Sequence, residues 1–150
     1  KAAKFFDEME IPFEINALSA HRTPDAVEEF AKGAKERGIK VIVAGAGMAA
    51  ALPGVIAAST TLPVIGVPVK GSVLDGVDAV YSMLQMPPGI PVATVAINGA
   101  LNAGILAVQM LALSDEALAE KFAAYKSGLR QKIEKANAEL KEVKFAYKCS

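Results

Sequence analysis

The chain has one histidine, one cysteine and no net charge, and each scarcity narrows what it can do. Sixteen basic residues balance sixteen acidic ones, so there is no broad field to attract nucleic acid or an anionic membrane. Any anion must be gripped locally. The lone cysteine, Cys149, has no partner for an intrachain disulfide, which suits a reducing, cytoplasmic setting. One histidine and one cysteine are too few for a zinc site of the usual composition. No Gly-x-Ser-x-Gly elbow exists for a serine hydrolase. The opening residues, Lys1 to Asp7, are amphipathic and soon acidic and do not read as a secretory signal.

Charge is also missing from two long stretches, Val41 to Val69 and Met86 to Ser114. Apolar runs of this length raise the question of membrane spans. However, Pro53, Pro63 and Pro68 interrupt the first and Pro87, Pro88 and Pro91 the second, with glycines and Asn98 and Asn102 among them. Such broken backbone cannot face hydrocarbon. The runs read instead as strands of a parallel sheet covered on both faces. The surplus of apolar helix surface, in a chain that is 53% hydrophobic, implies a homo-oligomer.

The remaining pattern alternates strands and helices. Lys1 to Met9 is the end of an amphipathic helix, and Ile11 to Ala17 is expected to be a strand. Pro24 to Lys35 is a helix with Val27, Phe30, Ala31 and Ala34 on one face, Thr23 as its N-cap and Gly38 after its end. Lys40 to Ala44 is a buried strand. Gly45-Ala46-Gly47 turns into a small-residue helix from Ala49 to Ser59. Pro63 to Val67 is a strand, Asp75 to Gln85 a helix, Pro91 to Ile97 a strand and Gly99 to Leu113 a helix. Ser114-Asp115-Glu116 starts a long polar helix, about residues 115–142, expected to pack on a neighbouring subunit. This order indicates one α/β domain over residues 1–150, with a three-layer, doubly wound parallel sheet.

Two segments carry candidate chemistry. Ser19-Ala20-His21-Arg22-Thr23-Pro24 combines the one side chain that titrates near neutrality with a rigid guanidinium fork, at the end of an expected strand where open α/β sheets bind ligands. Alone, a histidine is more often structural; its neighbours make His21 a candidate proton carrier. Gly45-Ala46-Gly47-Met48-Ala49-Ala50 matches a dinucleotide fingerprint with alanine in third place, but Pro63 to Lys70 lacks the acidic residue that nicotinamide cofactors require. A glycine turn for close packing and a cradle for another phosphorylated or planar ligand both remain open. Asp75 and Asp78 read as caps and solvated face rather than magnesium ligands. Met83, Met86 and Met110 read as core. The prolines of residues 85–91 fix a rigid loop.

Taken in order, Ser-Ala-His-Arg-Thr-Pro (19–24), Ala-Gly-Ala-Gly (44–47), Leu-Pro-Gly (52–54), Leu-Pro-Val-Ile-Gly-Val-Pro-Val (62–69), Gly-Val-Asp (76–78), Gln-Met-Pro-Pro-Gly-Ile-Pro-Val (85–92) and Asn-Ala-Gly-Ile-Leu-Ala (102–107) closely resemble the class I N5-carboxyaminoimidazole ribonucleotide mutases of purine biosynthesis. The likeness runs from residue 1 to about residue 130. It implies a flavodoxin-like fold, a homo-octamer, no metal and no ATP. The implied reaction moves a carboxylate from the exocyclic nitrogen to a ring carbon of a nucleotide monophosphate, by decarboxylation and recarboxylation. It implies that His21 is catalytic, that Ser19, Ala20 and Arg22 lie by the phosphate and ribose, and that Ala44, Gly45, Ala46, Gly47 and Met48, with Leu52, surround the imidazole and migrating carboxylate.

One proton shuttle of middling pKa suffices for such chemistry. A closed apolar pocket walled by Ala46, Ala49, Ala50 and Ala51 is expected to hold carbon dioxide between steps. The chain departs from the family twice. Family members begin with a strand and a Gly-Ser-x-Ser-Asp loop, whereas Lys1 already falls in the first helix, so a segment of the natural protein is expected to precede it. Most bacterial members also have histidine where this chain has Ala51. Arg22 favours class I over the class II relatives, which commonly have lysine there. The alternatives are a non-catalytic nucleotide-binding or assembly subunit and a direct carboxylase of aminoimidazole ribonucleotide.

Overall fold

The computed structural model describes residues 1–149. The elements are α1 (Ala2–Glu8), α2 (Pro24–Gly33), β1 (Ile42–Gly47), α3 (Leu52–Ser59), β2 (Val64–Val69), α4 (Val77–Leu84), β3 (Ala93–Thr94), α5 (Ala100–Ala112) and α6 (Glu116–Glu142). The strands form one parallel sheet in the order β1-β2-β3.

Alternation along the strands creates the three layers. Ile42, Ala44 and Val64 face α2 and α3, packing with Val27, Ala31, Ala34 and Ile56. Ile65 and Val67 face the other way, onto Ala103 and Ala107 of α5. Burying each such Val or Ile contributes about 1.5–3 kcal/mol. Gly66 lies under α4, where an added Cβ would sit 3.0 Å from the Met83 sulfur. α1 packs against α5, and the start of α6 closes over both, placing Leu118, Phe122 and Tyr125 against Phe5, Met9 and Val108. The long helix therefore begins on its own chain. Its later turns have no buried residue.

The expected strand over Ile11 to Ala17 does not form: residues 11–17 run extended but join no ladder. A strand needs a neighbouring edge, and here a cavity separates this segment from β1. The glycine turn at residues 45–47 is instead the end of β1, with Gly45 opposite Val67 and Gly47 opposite Val69. The following helix starts at Leu52 rather than Ala49, because Met48 (φ 56°) and Ala50 (φ 37°) are left-handed and break helical progression. The Pro91 to Ile97 strand shrinks to a two-residue ladder, although Val95 still donates to Gly66 O and Asn98 to Pro68 O. Pro91 lacks the amide a ladder needs.

Candidate active site

The loop between residues 18 and 24 is built by its own side chains. The Ser19 amide donates to Thr23 Oγ1 at 3.0 Å. The Thr23 hydroxyl donates back to Ser19 O at 3.1 Å, and the Thr23 amide donates to the same carbonyl at 2.8 Å. Ser19 Oγ accepts from the Arg22 amide at 3.3 Å. These bonds pinch the loop at its base and leave His21 and Arg22 at its tip, both exposed. Thr23 occupies the N-cap position of α2 but makes no side-chain cap bond there; its hydroxyl is committed to Ser19 instead. Pro24, at the first helical position, has no amide hydrogen to leave unpaired.

Leu18 anchors this loop to the sheet. It packs into the cluster containing Ala44, Ile56 and Leu52, so Ser19 emerges beside the carboxyl end of β1. The backbone of Ala44, Gly45, Ala46, Gly47 and Met48 continues along that end. Gly47 permits a close approach of the two strands: a Cβ there would lie 3.1 Å from Val69 O, a tight contact. Beyond β2, the loop after Val69 is held by Asn98, whose Oδ1 accepts from the Lys70 amide at 3.0 Å. Lys70 also pairs with Asp75 at 2.9 Å. Gly71 comes close to the Met48 side chain. Thr23, beyond its capping position, and Asn98 organise these loops without being marked as candidate residues by the sequence; the hydroxyl four residues after Ser19 is the available signal for the first.

Arg22 takes part in none of the six ion pairs among the described residues, so its guanidinium is open to an anion. No group of three or more His, Cys, Asp or Glu gathers among the described residues, and none of their helices is long and apolar enough to cross a membrane.

The expected enclosed pocket beside His21 does not coincide with the cavity along β1, which is lined by none of His21, Ala46, Ala49, Ala50 and Ala51. Ala50 turns inward onto Ala79 and Met83 with Ala46 beside it, Ala49 is exposed, and Ala51 is half-buried at the start of α3. The large cavity of the molecule, about 670 Å³, lies lower, along the side of β1. Its upper end reaches Leu18, Ala44, Gly45 and Leu52.

The chain is 50% identical over 143 residues to the N5-carboxyaminoimidazole ribonucleotide mutase of Pyrococcus horikoshii, covering 95% of this chain and 81% of that protein. It is 54% identical over 133 residues to the Thermotoga maritima protein of the same name, covering 89% and 78%. The crystal structure of Treponema denticola PurE superposes with a TM-score of 0.83 at 29% identity, covering 94% of this chain and 88% of the other. The AIR carboxylase family matches residues 1–132, and the chain belongs to that family.

Proposed function

We propose that this protein is an N5-carboxyaminoimidazole ribonucleotide mutase. It converts that nucleotide to 4-carboxy-5-aminoimidazole ribonucleotide in purine biosynthesis. The observation that carries the reading is identity of 50% or more, over nearly the whole chain, to proteins of that name. The exposed, hydrogen-bonded His21–Arg22 tip beside the end of β1 supports it.

In this reading protonated His21 gives its proton to the carbamate nitrogen. The nitrogen–carbon bond breaks and carbon dioxide leaves. The ring carbon attacks that carbon dioxide, and its displaced proton returns to the now neutral imidazole. Atoms balance with no co-reactant. Arg22, with Ser19 and Ala20, binds the phosphate and ribose through charge-assisted bonds. The Ala44–Met48 backbone, with Leu52 below it, receives the imidazole and the moving carboxylate. His21 is exposed in the single chain, so retention of carbon dioxide requires a further covering surface. A homo-oligomer, in this family's manner an octamer, would provide it, and a cytoplasmic setting suits the single free cysteine.

The test is turnover of the carbamate nucleotide with calorimetric titration of aminoimidazole ribonucleotide alongside. Isomerisation without dependence on added bicarbonate is expected. Binding without turnover would make this a nucleotide-binding subunit. Velocity that saturates with bicarbonate would make it a direct carboxylase.

A further inference from the structure

The segments that leave the carboxyl end of the sheet, where ligands of open α/β folds bind, are residues 18–23, 48–51, 70–76 and 95–99. Their only basic residues are Arg22 and Lys70. The two cations stand on opposite flanks of β1. Arg22 follows the extended 11–17 segment on one side, and Lys70 follows β2 on the other. Val69 is level with Gly47 in the parallel register, so Lys70 comes level with Met48, about 4.8 Å across the sheet. An added Cβ on Gly71 would lie 3.7 Å from Met48 Cγ. The start of the 70–76 loop therefore lies against the end of the 44–48 backbone.

The fold fixes the backbone of Lys70 and leaves its ammonium exchangeable. The Lys70 amide donates to Asn98 Oδ1 at 3.0 Å, and the Asn98 amide donates to Pro68 O at 2.8 Å. The loop then curls back on itself. Asp75 (φ 53°) and Gly76 (φ 94°) are consecutive left-handed residues, and a Cβ on Gly76 would lie 3.1 Å from Lys70 Cα. This curl brings Asp75 Oδ1 to 2.9 Å from Lys70 Nζ. The two side chains are 58% and 75% exposed, and an ion pair so open to water contributes little. An anion that sheds its water on binding competes well for such an ammonium. The flexible four-carbon stem lets the ammonium leave Asp75 while the backbone stays fixed.

We propose that Lys70 binds the migrating carboxylate, exchanging Asp75 for it when the nucleotide arrives. This rests on the mutase reading. The substrate of that reading carries its phosphate at one end and its carboxylate on the imidazole at the other. The Ala44–Met48 backbone takes the imidazole between them. With Arg22 on the phosphate, the cation beside Met48 is the one that meets the carboxylate. Lys70 is then a specificity residue, distinguishing a carboxylated nucleotide from one that lacks the group. Asp75, of like charge to the ligand, is a competitor for Lys70 and not its support.

Calorimetric titration should compare aminoimidazole ribonucleotide with 4-carboxy-5-aminoimidazole ribonucleotide, which share phosphate and ribose. Lys70→Met should weaken binding of the carboxylated nucleotide about tenfold or more, and of the other less than about twofold. In turnover, KM should rise about tenfold with kcat held within about threefold, the pattern of lost uniform binding. Lys70→Arg should keep the preference for the carboxylated nucleotide. Asp75→Asn should bind it at least as tightly as the wild type does. Equal weakening of both nucleotides by Lys70→Met, or the same losses in Asp75→Asn, would make the ion pair a brace of the loop and overturn the proposal. A wild type that turns over the substrate, beside a Lys70→Met variant that keeps the preference, would overturn this inference alone. A wild type that binds neither nucleotide would remove the mutase reading, and the carboxylate role of Lys70 with it.

Discussion

At the scale of single residues, the two that matter most do different work. In the proposed reaction His21 touches the reacting atoms. His21→Asn should lower turnover by about 10²- to 10⁴-fold, the usual worth of a positioned acid–base group, while titration of the nucleotide changes little. Undiminished turnover in that variant would remove His21 from the chemistry. Thr23 is a positioning residue: its hydroxyl joins both backbone groups of Ser19. Thr23→Val deletes two hydrogen bonds, each worth about 0.5–1.5 kcal/mol, and frees the tip that carries His21. We expect kcat/KM to fall about tenfold, equivalent to about 1.4 kcal/mol, with Thr23→Ser restoring it. A purely structural role would lower Tm in Thr23→Val without that split between valine and serine. Glu10 illustrates a smaller effect. Its carboxyl is held below its ordinary pKa, first by the hydrogen bond from Lys121 and then by that residue's charge. A lowered folded-state pKa means the unfolded chain binds the proton more readily, so this support is present above about pH 4.3 and fades as pH falls further. Thermal melts should show that Glu10→Gln loses a little of the wild type's gain in stability between acid and neutral pH.

At the scale of elements, close contact rather than propensity sets the sheet. Gly66, central in β2, would place an added Cβ 2.9 Å from Val92 Cγ1 and 3.0 Å from the Met83 sulfur. Gly66→Ala overpacks the α4 layer and should cost about 1–3 kcal/mol in urea unfolding. Helices were legible from the sequence because their signals are local. Pro24 opens α2, and Asp115 caps α6 by accepting from the Leu118 amide at 3.0 Å. The strands were legible only where a partner exists. Val64 to Val69 pairs on both sides and forms, whereas residues 11–17, in which Ile11, Phe13, Ile15 and Ala17 alternate with Pro12, Glu14 and Asn16, stay outside the sheet because a cavity separates them from β1. The candidate site was legible as segments, in that Leu18, just before residues 19–24, packs against the cluster that holds Ala44. The direction of Ala50 was hidden, because nothing local announces left-handed backbone at a methyl-bearing residue. The pairing of Asn98 with Lys70 was hidden for another reason, as it spans 28 positions.

At the scale of the whole molecule, the chain is divided into a covered half and an open one. The first turns of α6 are spent on Phe5, Met9 and Val108. Past Tyr125, Leu129, Ile133, Ala136, Leu140 and Val143 succeed one another at intervals of four, three, four and three, the spacing of a coiled-coil seam. Leu129, Ile133 and Leu140 are 44%, 72% and 63% exposed. Charged i,i+4 pairs such as Arg130–Glu134 lie off this stripe and keep the opposite surface solvated. A 27-residue helix with no buried residue gains little from its own chain over its second half, since an isolated helix of that composition is marginal in water. The proposed oligomer supplies the missing contact if these stripes pack together. Ile133→Lys combined with Leu140→Lys should then reduce the mass measured by light scattering to that of a smaller assembly, because each lysine must be desolvated at the seam. Turnover should fall with it, as the surface that covers His21 is lost. An unchanged mass would move the subunit contact to another exposed apolar surface, such as that of Val73, Leu74 and Tyr81. Because that surface borders the 70–74 loop near Met48, assembly through it would couple subunit contact to the site more directly than assembly through α6.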